Sequence, residues 1–302
     1  MTGGTASDIP RAGLLVRMLP AAALPYARLM RADRPIGTWL LLFPCWWGIA
    51  LATPGLPSPW LLAIFALGAF VMRGAGCTYN DIVDRDFDGR VARTADRPIP
   101  SGAVTLRQAI AFLLAQLLAG FAILMLFDAT TIALGVASLV LVFTYPLMKR
   151  VTWWPQFFLG LAFNWGALMG WSAVAGGVSA APLLLYAGGI AWTLGYDTIY
   201  AHQDREDDAL IGIKSSARRL GARTRPALAL FYAVAVLLFA AAGTLVELGW
   251  PFWLALAAAA AQLGWQVRRI DIDRPADCLA KFRSNRVVGW LLLAGIAAGH
   301  MT

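Results

Sequence analysis

"LLAIFALGAFVMRGAGCTYNDIVDRDFDGR", residues 61–90, begins as a stretch that a bilayer accepts and ends with four aspartates between Asp81 and Asp88. Unpaired carboxylates are costly in a low-dielectric medium, so an apolar helix cannot carry them into lipid alone. A helix end that holds cations can. The rest of the chain fits a membrane setting. It has 302 residues, 59% of them hydrophobic and only 14% charged, with 13 Trp. Soluble chains carry about a quarter charged residues, and Trp favours membrane interfaces. We therefore expect an all-α polytopic membrane protein.

Apolar segments near the ~20 residues needed to cross a bilayer fall at 36–53, 58–80, 105–126, 129–148, 153–174, 181–200, 226–246, 250–267 and 286–301. The expectation is about nine transmembrane helices, with eight as the alternative. Of the 25 Lys and Arg, only Arg73 falls well inside a span, Arg107 and Arg286 standing at the very start of theirs. The others precede the first span or lie in alternate loops, whereas "TPGLPSP", "FDA", "AGGVSAA" and "VELGW" carry none. By the positive-inside rule the basic loops and the N-terminus face the cytoplasm. The net charge of +8 is this bias and calls for no nucleic acid. We expect a bacterial inner membrane, with a mitochondrial inner membrane as second choice. No obligate protein partner is evident.

Cys45, Cys77 and Cys278 form no spaced pair, which argues against a disulfide frame or a zinc site. Residues 1–30 read as an N-terminal segment without a convincing cleavable signal; "AGLLVRMLPAAALP" within it suits the membrane surface. Residues 31–302 read as one membrane domain.

On a helix continuing from the second span, Asn80, Asp84 and Asp88 share one face at four-residue spacing, with Asp81 beside them and Arg73 and Cys77 further down. Asp86 points elsewhere. Neighbouring carboxylates repel, and a divalent cation removes that penalty. A second acidic stretch, "YDTIYAHQDREDD" at 196–208, ends the sixth span and puts Asp197, Tyr200, Asp204 and Asp208 on one face, with Asp207 close by. Both stretches end even-numbered spans, so both face the cytoplasm, and Asp84 and Asp88 match Asp204 and Asp208 as a weak internal repeat. "DRDFDG" at 84–89 opens like a calcium loop, but its twelfth position is Ala95 where a bidentate Glu is required. A solvated charge run would not recur at equivalent places. An ion-coupled transporter, the main alternative, would hold its carboxylates near mid-membrane rather than at helix ends. Acidic pairs on two helices suit Mg²⁺ bound with a diphosphate. Lys149, Arg150 and Lys214 then become diphosphate ligands, against a plain role as membrane anchors. Arg73, inside a span, is costly and reads as functional, against a buried ion pair to an aspartate.

"NDIVDRDFD" and "DREDD" resemble the two aspartate motifs of the UbiA-type membrane prenyltransferases. "RADRPIGTWLLLFPCWWG", "RGAGCTYNDIVDRDFDGRVARTADRPIPSG" and "GYDTIYAHQDREDDALIGIKSSA" are similar to the branch that prenylates 4-hydroxybenzoate, from about Arg31 onward. The resemblance implies helices around a central cavity under cytoplasmic cap loops, open sideways to lipid, and a polyprenyl diphosphate bound through Mg²⁺. It implies transfer of the prenyl group to 4-hydroxybenzoate on the way to ubiquinone; a related prenyltransferase for another aromatic acceptor shares the aspartates. Mg²⁺ would be held by Asn80, Asp81, Asp84, Asp88, Asp204 and Asp208. Arg34, in "DRPIG", is the suggested partner of the acceptor carboxylate, against a helix-start anchor. Asp197 is the candidate base or phenol partner. Asn164 and Tyr200 are candidate acceptor contacts, with helix packing the competing role for Asn164. Trp39, Trp165 and Tyr200 are candidates for shielding an allylic cation.

Overall fold

The structure, a computed structural model, describes residues 19–89, 94–210 and 212–302, apart from the side chains of Phe87, Asp204 and Asp207. Most of the N-terminal segment, Arg90, Arg93 and the carboxylate of Asp204 therefore lie outside the described residues. The described elements are all helical: α1 Leu24–Leu29, α2 Ile36–Ala52, α3 Pro59–Asp88, α4 Leu106–Leu124, α5 Ala129–Val151, α6 Pro155–Asn164, α7 Gly166–Ala175, α8 Ala180–Ala201, α9 Arg205–Leu210, α10 Ser216–Leu220, α11 Thr224–Leu245, α12 Trp250–Arg269 and α13 Pro275–Gly299, with short 3₁₀ turns between some of them.

Among the described residues, five helical stretches are long and apolar enough to cross a bilayer: Pro59–Asp86, Leu106–Leu124, Ala129–Val151, Pro155–Ala175 and Ser216–Leu245. Ile36–Ala52 is apolar but shorter. Helices α8, α12 and α13 cover the remaining expected spans, but the expected count of nine is not reached by length and composition alone. The expected fifth span is two helices. Asn164 turns its amide Nδ2 back onto the Gly160 carbonyl at 2.9 Å, and α6 ends there. Such local side-chain bonds compete with the helix ladder.

The chain divides into two compact units. One takes the chain up to Thr38 together with Leu67–Ile123; the other takes Trp39–Ala66 and Leu124–Thr302. The first contains α1, the carboxyl part of α3 and nearly all of α4. Leu29, Val104 and Ala109 form its buried centre, with Tyr26, Ile82, Ile99 and Phe112 packed around them. Thr78 donates to the Gln116 Oε1 at 3.0 Å, a buried polar tie between α3 and α4. That centre lies beside the acidic turn of α3 and fixes it.

In the second unit, α8 packs against α6, α11 and α13. Small residues let helices approach closely, as expected in lipid where there is no hydrophobic drive between them. Gly166 and Gly170 of α7 lie against the backbone and thiol of Cys45 in α2, with no room for a Cβ at either position. A buried polar chain joins four helices: Trp192 donates to Asn285 at 2.8 Å, Asn285 to Gln266 at 3.4 Å, and Tyr232 to Gln266 at 2.8 Å. Asp128 caps α5, accepting from Thr130 N and Thr131 N, and Lys149 and Arg150 occupy the last turn, where cations complement the helix dipole.

Candidate functional site

In the first unit, the face foreseen from the sequence is present and deeply buried. Asp81, Asp84 and Asp88 are 0%, 2% and 7% exposed, whereas Asp86 is exposed and pairs with Arg85. Three carboxylates at this depth need partners, and the structure supplies them to Asp81 and Asp88 from outside the helix and to Asp84 from one turn earlier within it. Arg31 grips Asp81 with both arms: Nη2 donates to Oδ1 at 2.7 Å and Nη1 to Oδ2 at 3.1 Å. Arg97 bridges two carboxylates with one nitrogen, its Nη1 donating to Asp88 Oδ2 at 2.6 Å and to Asp81 Oδ1 at 3.2 Å. Asn80 donates to Asp84 Oδ2 at 3.1 Å. Burial opposes the Arg31 charge, but Asp81 together with smaller contributions from neighbouring groups offsets it and raises the guanidinium pKa. Burial raises the Asp88 pKa as well, against the pull of Arg97.

The loop geometry explains why these arginines reach the helix. Arg31 sits at φ 59°, a left-handed conformation that disfavours residues with a Cβ. A non-glycine residue held there marks a site where the surroundings over-determine the backbone. Arg97 lies in a turn, its N–H donating to Thr94 O at 3.0 Å, and Thr94 Oγ1 ties that turn to the end of α3 through Asp88 O at 2.7 Å.

Arg73 donates from Nη1 to the Cys77 thiol one turn on. Its guanidinium lies against the backbone of Gly37, where a Cβ would come within 2.6 Å of Nε and 2.7 Å of Nη2. Arg34 pairs with its neighbour Asp33 through Nε at 3.3 Å.

In the second unit, α8 is buried along most of its carboxyl half, yet Asp197 and Tyr200 remain half-buried. The Tyr200 ring lies 4.5 Å from that of Phe282 in α13, and Phe282 also meets Tyr196 at 5.7 Å. A 3₁₀ turn, His202–Asp204, follows and carries the second acidic motif into α9. His202 pins this turn: its Nε2 meets Thr224 Oγ1 at 2.9 Å, at the start of α11. Burial, then the nearby Arg205, pushes the His202 pKa down to about 4. Asp208 is half-buried.

Two of the expected site residues make other contacts in this structure. Lys214, read as a diphosphate ligand, donates its ammonium to Val151 O at 3.1 Å, and its N–H bonds Lys149 O at 2.9 Å. It caps the carboxyl end of α5, where free carbonyls and the dipole favour a cation. Asn164, read as an acceptor contact, is 1% exposed and donates Nδ2 to Gly160 O and to Thr193 Oγ1 at 2.8 Å. It lies against Gly189, in the packing of α6 on α8. Trp165 is likewise engaged, donating to Leu134 O at 2.9 Å, and Trp39 stacks on Phe43 at 5.7 Å.

Arg31 and Arg97 were missed as site residues because both were counted with the membrane-anchoring charges. A signal was available: "ADRPI" occurs twice, at 32–36 and 95–99, and Arg97 lies in the second copy with Arg31 just ahead of the first.

The donor chemistry of the first motif suits a hard divalent cation, since Asn80, Asp84 and Asp88 offer only oxygen acceptors beside the amide on one buried face. Among the described residues no three such side chains are drawn together around one point. Arginine takes that place. Asp81, expected among the metal ligands, has both its oxygens held by Arg31.

A protein-family model described as the UbiA prenyltransferase family matches residues 41–294. A Caenorhabditis elegans protein named "4-hydroxybenzoate polyprenyltransferase, mitochondrial" is 51% identical over 298 residues, which cover 98% of this chain and 84% of the relative. A protein of the same name from Arabidopsis thaliana is 51% identical over 285 residues, covering 93% and 70%. Among solved structures, the apo structure of a UbiA homologue from Aeropyrum pernix K1 is similar with TM-score 0.74 and 28% identity, covering 86% of this chain and 97% of that one. A UbiA homologue from Archaeoglobus fulgidus, solved bound to GPP and Mg²⁺, shares the fold with TM-score 0.66 and 19% identity, covering 92% and 100%. These relatives correct the expected location. Both named enzymes are mitochondrial, which points away from a bacterial membrane. Loop charge reports which side of a membrane a loop occupies, not which membrane it is.

Proposed function

The chain belongs to the UbiA prenyltransferase family, and from that membership we propose that it transfers a polyprenyl group from a polyprenyl diphosphate to the carbon ortho to the hydroxyl of 4-hydroxybenzoate. The observation that carries this reading is the half-identical, nearly full-length match to a relative named for that activity. The products are 3-polyprenyl-4-hydroxybenzoate and diphosphate, a step in ubiquinone synthesis.

The allylic C–O bond breaks and its electron pair leaves with the diphosphate. A π pair of the acceptor ring forms the new C–C bond, and loss of the ring proton restores aromaticity. Mg²⁺, when bound, supplies Lewis-acid neutralisation of charge on the leaving group. Asn80, Asp84 and Asp88 would hold it in the first motif, Asp204 and Asp208 in the second. Asp81, gripped by Arg31, keeps the α3 turn in register. Arg73, Lys149 and Arg150 supply charge-assisted hydrogen bonds to phosphate oxygens. Arg34 takes the acceptor carboxylate, for which a planar guanidinium is suited. Asp197 receives the ring proton, with Tyr200 one turn on to orient the phenol. Aromatic faces favour the allylic cation, and exclusion of water protects it.

The test is an assay of membranes containing the chain with 4-hydroxybenzoate and polyprenyl diphosphates of several lengths. Mass spectrometry should find the ring-prenylated acid. Absence of that product, with prenylation of another aromatic acceptor instead, would overturn the choice of acceptor.

A further inference from the structure

The first acidic motif is closed by two arginines that hold it in different ways. Arg31 makes a two-armed pair with one carboxylate, 2.7 and 3.1 Å, from a backbone conformation already committed to that aim. Arg97 reaches two carboxylates with Nη1 alone, at 2.6 Å to Asp88 and 3.2 Å to Asp81. A single nitrogen between the oxygens of two acidic side chains puts positive charge where the carboxylates of the motif converge. It offsets their charge, and its side chain is 20% exposed while the Asp81 it touches is wholly buried. Arg97 also belongs to a loop rather than to a helix, so it can withdraw without breaking secondary structure.

We propose that Arg97 is an exchangeable counter-ion of the first motif, competing with the divalent cation for Asp88 and released by it to the diphosphate, while Arg31 stays on Asp81. This deepens the reading of the motif as a metal–diphosphate site and rests on it. The physical consequence is linkage. A cation entering alone must displace Arg97 and leave a guanidinium without its carboxylates. A cation entering with a diphosphate gives Arg97 a new anionic partner. Metal and diphosphate therefore bind with positive coupling, and by thermodynamic necessity the coupling is reciprocal. Arg85 and Asp86 on the opposite side of α3 are solvent-facing and take no part.

The test is Mn²⁺ binding to the full chain in detergent, followed by the loss of the free-ion electron paramagnetic resonance signal, with and without inorganic pyrophosphate. The wild type should bind Mn²⁺ weakly alone and on the order of tenfold more tightly with pyrophosphate, within the usual range of coupling between sites. Arg97→Gln should bind Mn²⁺ alone more tightly than the wild type and lose most of the gain from pyrophosphate. Arg97→Lys, whose compact ammonium keeps the charge without the planar fork, should fall between them, and it carries the test if the glutamine variant fails to fold. Mn²⁺ affinity in the folded variants equal to the wild type's, with the pyrophosphate gain intact, would overturn the exchange while leaving the metal–diphosphate site standing. No Mn²⁺ binding by any of the proteins, even with pyrophosphate, would overturn both.

Discussion

Arg31 holds Asp81 with two parallel hydrogen bonds, 2.7 Å from Nη2 to Oδ1 and 3.1 Å from Nη1 to Oδ2, fifty residues apart in the chain. The pair ties the turn after α1 to the acidic end of α3, and the left-handed backbone at Arg31 is tolerated because of it.

Removing one partner of a buried ion pair leaves an uncompensated charge, at a cost of about 3–5 kcal/mol. The Arg31 side chain is 12% exposed and that of Asp81 0%, so Arg31→Ala should fall near the lower end. Thermal unfolding in detergent should show it. Arg31→Lys should recover only part, because an ammonium cannot reproduce the two-armed geometry. Wild-type stability in the alanine variant would show that Asp81 is neutralised by other means.

Gly37 leaves no room for a Cβ beside Arg73 as that side chain now lies. A methyl there would press on the Arg73 guanidinium, 2.6 Å from Nε. Overpacking of this kind typically costs about 1–3 kcal/mol. Gly37→Ala should displace Arg73 and raise the KM for prenyl diphosphate, with a smaller change for 4-hydroxybenzoate. Unchanged steady-state kinetics would remove Arg73 from the diphosphate site.

Asn164 separates packing from binding. Its amide serves Gly160 and Thr193 inside the second unit. Asn164→Ala should lower the unfolding temperature, since Thr193 and the α6 terminus lose a partner. The KM for 4-hydroxybenzoate should stay within about twofold, well under the tenfold that 1.4 kcal/mol of lost binding would bring. A large, selective rise in that KM would restore its expected role as an acceptor contact.

Asp128 gives a pH signature remote from the chemistry. Hydrogen bonding from Thr131 holds its carboxyl below the usual carboxylate range, and the Thr130 and Thr131 N–H groups add to this. A lowered folded-state pKa contributes stability above the unfolded value of 3.8 and loses it as pH falls through the folded value. Asp128→Ala should cost about 1 kcal/mol at neutral pH, as loss of an N-cap does. The difference from the wild type should shrink only as pH falls below the usual carboxylate range. A difference that grows as pH falls would contradict the cap.

The fold was legible because apolar runs and loop charge carry strong, local signals. The start of α3 in lipid and its acidic end are both readable from residues 61–90, and the shared face of Asp81, Asp84 and Asp88 follows from helical spacing alone. What could not be read was the partnership of distant residues. Arg31 and Arg97 reach Asp81 across 50 and 16 residues through loops whose backbone geometry has no periodic signature. Lys214 illustrates the converse. Its position near an acidic motif suggests a phosphate ligand, and its partner in this structure is a helix carbonyl 63 residues away. Spacing reveals which side chains share a face; it does not reveal which loop closes over that face.

The most direct measurement of the central claim is prenyl transfer by the purified chain in lipid nanodiscs, with labelled 4-hydroxybenzoate and a polyprenyl diphosphate. Three arms are needed: Mg²⁺, excess chelator, and chelator followed by surplus Mg²⁺. The account predicts ring-prenylated product in the first and third arms and none in the second, with Asp84→Asn inactive throughout while still folded. Undiminished transfer in excess chelator, or full activity of folded Asp84→Asn, would contradict it.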